Sequence, residues 1–503
     1  MRQNRVGEQK FYKLFGHFSL ALLIGSSSVY AQSFEDFKRS QAESFHKFKD
    51  ERDSAFSKYL KQQWKAYNVE FGKERYEKPK PTIIPKAQES KIKSVGPKVN
   101  ISLKNIKPAP IEDDKKVVLE KRDKLEKIKE SVKKENVAKT VPKDITFDFY
   151  GTQVGFDIAY KIKNANFYPQ NQNGITSFFS NVASSEYEEL IRELKRVKKA
   201  QNLNDWGVYL LVLKLSNEIY RDSDNAKLFS WFVFNKLGYA VKVGLVDKHI
   251  VLMFYSKKTI YSTPNYSFHK KKYYVLSHYA KGNIGRVFSY RQDYPGSTKP
   301  LDLSLESLPY LKKDMKTKTL SFKEYGKTYR IKYQYNQNLI DFMGTYPQAD
   351  YETFFNAPME NTTYRSIAKD LKHYLDGKQM GDAMNFVLHF VQKSFKYSKD
   401  EVQFNREKVM FAEETLYYKR SDCEDRAILF SYLIKKLFSI NVYGVHYKGH
   451  MATALYVPMK GDFIRLGNKK LVVADPTYIN SNIGQAMPQY RGKQPQNLIK
   501  IQR

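Results

Sequence analysis

Residues 417–433 read YYKRSDCEDRAILFSYL and hold the only cysteine of the 503-residue chain. Ser421 and Asp422 are residue types that cap helices, and the apolar residues beyond them recur with a helical period. Ala427, Phe430, Ile434 and Leu437 recur on one face, and Cys423 is in phase with them. The spacing predicts a helix whose first turn carries the thiol and turns it toward the domain. Unpaired N–H groups and the positive end of the helix dipole favour thiolate at such a place. Asp422, Glu424 and Asp425 oppose it, so a reactive sulfur here needs a base.

Downstream, His450 opens the alternating stretch HMATALYV, in which His450, Ala452, Ala454 and Tyr456 share one face of a strand. Turn residues at Gly461-Asp462 and Gly467-Asn468 mark a hairpin that returns as KLVVADP and leaves Asp475 at a strand end. Neighbouring antiparallel strands can bring Asp475 beside His450, and the helix start can bring Cys423 to the other ring nitrogen. The order is nucleophile, base, orienting carboxylate. His446, on the preceding strand, competes for the role of base but lacks the alternation that continues from His450. Thr477 and Tyr478 are placed at the site by adjacency alone. A lone cysteine is by itself more often buried and inert; His450 and Asp475, arriving in matching contexts, carry the catalytic reading. Cys423 and His450 have no further ligands at metal spacing, so neither a metal nor a cofactor is expected.

Three pieces together, Ser421-Asp422-Cys423-Glu424-Asp425-Arg426-Ala427 at a helix start, Lys448-Gly449-His450-Met451-Ala452 opening a strand and Val473-Ala474-Asp475-Pro476-Thr477 closing one, resemble the transglutaminase-like superfamily, most of all its exported bacterial members. The resemblance covers residues 364–490. It implies a papain-like α+β fold, a Cys423, His450, Asp475 triad and a thiol enzyme acting on an amide or peptide bond in a protein or a cell-wall peptide. Ser421 departs from the glycine many members have there, and the long interval from His450 to Asp475 is attributed to the hairpin around 458–469.

The rest of the chain bounds the setting. Arg2, Arg5, Lys10 and Lys13, an apolar run from Leu14 to Gly25, and Val29-Tyr30-Ala31 before Gln32 predict a signal peptide over 1–31, hence a periplasmic or secreted protein. No later stretch approaches about 18 apolar residues, so no transmembrane segment is expected after cleavage. One exported cysteine excludes an intramolecular disulfide. The net charge of +33 suits an anionic envelope polymer as partner, while no nucleic-acid module is recognisable. Phe34, Phe45, Phe56 and Tyr67 recur every eleven residues, as do Phe37, Phe48 and Tyr59, predicting an amphipathic helix over 32–72 that lies against a partner helix or another surface. Residues 73–143, with 21 basic and 11 acidic residues among scattered prolines, read as a disordered basic linker.

Residues 144–300 form an α+β domain that echoes the last one. DWGVYLLVLKLSNEIY matches DAMNFVLHFVQKSFKY, LFSWFVFNKL matches LFSYLIKKLF, and VGLVDKHIVLMFY matches YGVHYKGHMATALY. His249 then stands at the place of His450, Asp222 or Asn225 near that of Cys423, and Ser277 near that of Asp475, which describes an inactive duplicate. Residues 301–363 read as a β-rich connection and 364–503 as the transglutaminase-like catalytic domain. The alternative function is a non-catalytic cell-envelope binding or scaffold protein that uses the same fold.

Overall fold

Two antiparallel sheets built to one plan organise the chain. The computed structural model describes residues 34–68, 84–92, 95–103, 143–276 and 285–502. The described residues fall into two units that divide between Arg52 and Asp53. Helix α1 (Phe34–Gln62) begins in the first unit and ends in the second, where strand β1 (Trp64–Asn68) comes next. Beyond a hairpin, β2 (Ile145–Phe149) and β3 (Thr152–Phe156), come helices α2 (Gln172–Ala183), α3 (Glu188–Ala200), α4 (Asp205–Ile219) and α5 (Ser223–Lys236). Strands β4 (Val241–Val246), β5 (His249–Tyr255), β6 (Asn265–Phe268), β7 (Lys271–Val275) and β8 (Arg286–Tyr290) complete the first half.

The second half opens with a long hairpin, β9 (Met315–Glu324) and β10 (Lys327–Asn336), and helices α6 (Asn361–Leu375) and α7 (Met380–Ser394). Two short strands, β11 (Lys396–Tyr397) and β12 (Arg420–Ser421), pair in parallel. Helix α8 (Cys423–Phe438) leads into β13 (Val442–Tyr447), β14 (His450–Leu455), β15 (Phe463–Leu466), β16 (Lys469–Ala474) and β17 (Asn497–Lys500).

The first sheet has the order β1-β8-β4-β5-β7-β6 and the second β15-β16-β14-β13-β17. Set β1 aside and read the second backwards, and β8-β4-β5-β7-β6 matches β17-β13-β14-β16-β15 strand for strand. Each sheet is preceded by a packed helix pair, α4 with α5 and α7 with α8, whose second helix covers the two central strands. The hairpins agree in register: Val246 faces His249 across one two-residue turn, and Tyr447 faces His450 across the other. β14 is buried along its whole length because α8 covers one face and the segment after Asp475 the other, which is why small residues, Ala452 and Ala454, sit there.

Three expectations are corrected. The amphipathic helix stops at Gln62, and the chain turns into β1, so Tyr67 belongs to a strand paired with Val287. Phe56, instead of awaiting a partner helix, is buried against Phe179, Trp231, Tyr290 and Tyr294 of the same chain. Within the 73–143 segment, residues 84–103 do not behave as a free linker where they are described. Ala87 N–H donates to Ile479 O at 2.8 Å and Val99 N–H to Lys378 O at 2.8 Å, while Val99 and Ile101 are buried. Isolated apolar residues suffice here because the folded domain supplies the hydrogen-bond partners that local sequence does not. Residues 104–142 lie outside the described residues, as does the predicted signal peptide. The third correction is the connection 301–363, which contains helices Gln337–Gly344 and Tyr351–Phe355 beside its hairpin. Among the described residues, no helix is long and apolar enough to cross a membrane.

Candidate active site

Asp422 stands at the N-cap of α8, and the side chain of Asp425 accepts the Asp422 N–H at 3.2 Å. That arrangement fixes Cys423 as the first helical residue, where its own N–H has no carbonyl partner within the helix. Arg426, fully buried one turn on, ties the helix start to its surroundings: it donates to Ser421 Oγ at 3.0 Å, Gln392 O at 3.4 Å and Phe395 O at 2.8 Å. The sulfur is completely buried.

His450, the first residue of β14, is buried with its Nε2 2.8 Å from Asp475 Oδ2. That nitrogen donates to the carboxylate, which leaves Nδ1 with the lone pair. Asp475 is itself held: Oδ1 accepts the N–H groups of Thr477 at 2.9 Å and Tyr478 at 3.2 Å, and its carbonyl accepts Gln392 Nε2 at 3.0 Å. Nδ1 of His450 is buried without a hydrogen-bond partner among the described residues. The backbone N–H of Met451, the next residue along β14, acts on the Cys423 sulfur. The fold therefore gathers Cys423, His450 and Asp475, although the thiol's own bond, at 3.3 Å, goes to Glu424 Oε2 rather than to the imidazole.

That bond is one a protonated thiol makes. Burial first, then the charges of Glu424 and Asp422, push the Cys423 thiol well above the usual range, and the Met451 N–H opposes them only in part. The helix terminus favours thiolate, as the sequence suggests, but desolvation outweighs it here. Tyr490 closes the other side: its ring stacks on His450 with centroids 4.7 Å apart and planes 23° apart. The segment carrying Tyr490 is anchored where Gly461 and Gly484 meet backbone to backbone; a Cβ on Gly461 would fall 2.4 Å from Gly484 Cα.

Next to the sulfur lies a carboxylate cluster that the sequence does not announce. Oxygens of Asp400, Asp422 and Glu424, all buried, lie within 4.8 Å of one another. Burial, then Asp425, pushes Asp400 up to about 8, and burial, then Glu424, pushes Asp425 up to about 7. Three carboxylates are a donor set of the kind that holds a hard cation. Asp400 gives no signal in the sequence because it lies far from Asp422 along the chain.

His446, the competing candidate, packs edge-on against Tyr351 at 5.3 Å instead of pairing with Asp475. Thr477 contributes its N–H to Asp475, and its buried hydroxyl has no partner among the described residues.

In the first half, Asp222 caps α5 by accepting the N–H groups of Asp224 and Asn225. Ser223 is therefore the first helical residue of α5, as Cys423 is of α8, while the pairing of His249 with His450 and of Leu228-Phe229-Ser230 with Leu429-Phe430-Ser431 keeps Asp222 at the place of Cys423 along the chain. His249 opens β5 as His450 opens β14, but its Nδ1 lies 3.0 Å from Asp224 Oδ2 and its side chain is 71% exposed. Ser277 lies outside the described residues. Comparisons with models of known families, with curated proteins and with solved structures return no match.

Proposed function

We propose that the chain is a cysteine-nucleophile enzyme of transglutaminase-like, papain-like fold that cleaves, or transfers, an amide bond in a protein or cell-wall peptide outside the cytoplasm. The observation that carries this reading is the buried His450–Asp475 pair, with the unpartnered Nδ1 of His450 at the strand position beside the N–H that meets the sulfur. In this mechanism Nδ1 takes the thiol proton and the sulfur attacks the carbonyl carbon. The imidazolium then protonates the departing amine, and water or a second amine resolves the acyl-enzyme. Asp475 keeps the proton on Nε2 and stabilises the imidazolium. Because the sulfur is sealed, substrate access requires Tyr490 to leave the imidazole.

The test is intact-mass analysis of the full chain after incubation with peptide thioesters. The expected result is one added acyl group located on Cys423, absent in Cys423→Ser. A folded wild-type chain that never acquires the acyl group contradicts the enzyme and leaves the envelope-binding alternative.

A further inference from the structure

The triad leaves one requirement of acyl transfer open: a second donor, besides the Cys423 N–H, for the oxygen that becomes negative. We infer that the hydroxyl of Tyr397 is that donor; the inference rests on the proposed thiol chemistry and extends it.

Tyr397 is tied to the nucleophile by the backbone. β11 runs parallel to β12 with Lys396 opposite Arg420 and Tyr397 opposite Ser421, and Ser398 N–H donates to Ser421 O at 3.3 Å. The tyrosine is thus locked to Ser421, two residues before Cys423. Its hydroxyl oxygen is buried and has no hydrogen-bond partner among the described residues. A buried phenol without a partner is unusual and calls for an explanation.

Arg426 is not that partner. Its guanidinium lies 5.6 Å from the Tyr397 ring centroid, and its N–H groups are directed at Ser421, Gln392 and Phe395. It holds the ring and leaves the hydroxyl to the helix start. After burial, the strongest influence on that hydroxyl is the Cys423 sulfur, then Asp422 and Glu424, all of which raise its pKa. The phenol therefore stays protonated and able to donate near neutral pH.

In the reaction, the sulfur forms a bond to the carbonyl carbon and the π pair moves onto oxygen. That oxygen accepts from Cys423 N–H and Tyr397 O–H. Its lone pair then re-forms the C=O bond as the C–N bond breaks, and the amine leaves with the proton from His450. No oxidant or other co-reactant is needed.

Two reagents separate this role from a structural one. A haloacetamide alkylates the sulfur without creating an oxyanion, whereas a peptide thioester creates one. Tyr397→Phe should alkylate within about twofold of wild type and acylate on the order of 100-fold more slowly, the usual loss for one oxyanion donor. Equal losses in both reactions, as for a hydroxyl that merely pairs with Asp422, or no loss in either, overturn the inference. If Tyr397→Phe does not fold, the wild-type chain still offers a refutation. A thiono ester, whose sulfur accepts hydrogen bonds poorly, should react on the order of 100-fold more slowly than its oxo counterpart relative to their solution reactivities. A ratio near unity contradicts the donor. A wild-type chain that alkylates but is never acylated overturns both the enzyme reading and this inference, whereas a normally acylating Tyr397→Phe overturns this inference alone.

Discussion

The two halves share a strand order, a helix pair and a histidine at the same hairpin position, yet they treat that histidine in opposite ways. His450 is sealed against Asp475 beneath Tyr490, while His249 stands 71% exposed and bonded to a carboxylate of the preceding helix. The helix-start residue is cysteine in one half and serine in the other. The sheet plan and the polar surroundings of the histidine are therefore separable: the plan demands only apolar alternation and a capped helix, and both halves meet that demand. A buried imidazole paired with a buried carboxylate demands more, because each polar atom taken out of water needs a partner. In the second half, Gln392 and the loop N–H groups after Asp475 meet it for the carboxylate, while Nδ1 of His450 lies beside the Tyr490 ring without a hydrogen-bond partner among the described residues.

The comparison can be broken first through the core peculiar to the first half. Phe56 packs on Phe179, Trp231, Tyr290 and Tyr294, and among the described residues no counterpart of β1 extends the second sheet. Phe56→Ala should cost about 3–5 kcal/mol in denaturant unfolding. Tyr59→Ala, at a half-buried position one turn on, should cost less. Equal costs would show that the Phe56 packing is not what anchors this half.

A smaller effect should come from the carboxylates peculiar to the second half. Asp400 is raised to about 8 in the folded chain, so its neutral form is the stabilising one. Its contribution is complete below the ordinary carboxylate range and is lost as the pH rises through about 8. Asp400→Asn keeps an acceptor for the Lys408 N–H, which Oδ2 now takes at 2.8 Å. With a chelator present, melting curves between about pH 5 and 8 should show the wild type losing stability relative to the variant as the pH rises. The gap at the upper end should be on the order of 1–3 kcal/mol. A gap that widens toward the acid end would reverse the assignment.

Smaller again is the effect of the cover. Tyr490→Ala uncovers the imidazole and should raise the haloacetamide rate at Cys423 by about tenfold, on the order of 1.4 kcal/mol. An unchanged rate would mean that another element controls access.

Much of the site is legible in the sequence because its parts announce themselves locally. A cap ahead of a helical apolar face places Cys423, and strict alternation places His450 and, at the end of the return strand, Asp475. The hidden parts depend on contacts between segments distant in sequence. Asp400 and Tyr397 reach Cys423 through the loop between α7 and α8, and Tyr490 arrives from beyond Asp475. Val99 and Ile101 look like linker residues until the folded domain offers them a surface. The start of α5 is likewise set by which carboxylate caps it: Asp222 accepts the N–H groups of Asp224 and Asn225, so Ser223 opens the helix. The eleven-residue aromatic period marks α1 but cannot show that the helix ends before Tyr67.

The central claim is that His450 activates Cys423 whereas His249 has no such part. The most direct measurement is the second-order rate of Cys423 acylation by a peptide thioester near neutral pH, compared among wild type, His450→Ala and His249→Ala. Loss of a positioned base predicts a fall of about 100-fold or more for His450→Ala, with His249→Ala within about twofold of wild type. Equal rates for wild type and His450→Ala, in variants that melt alike, would contradict the account.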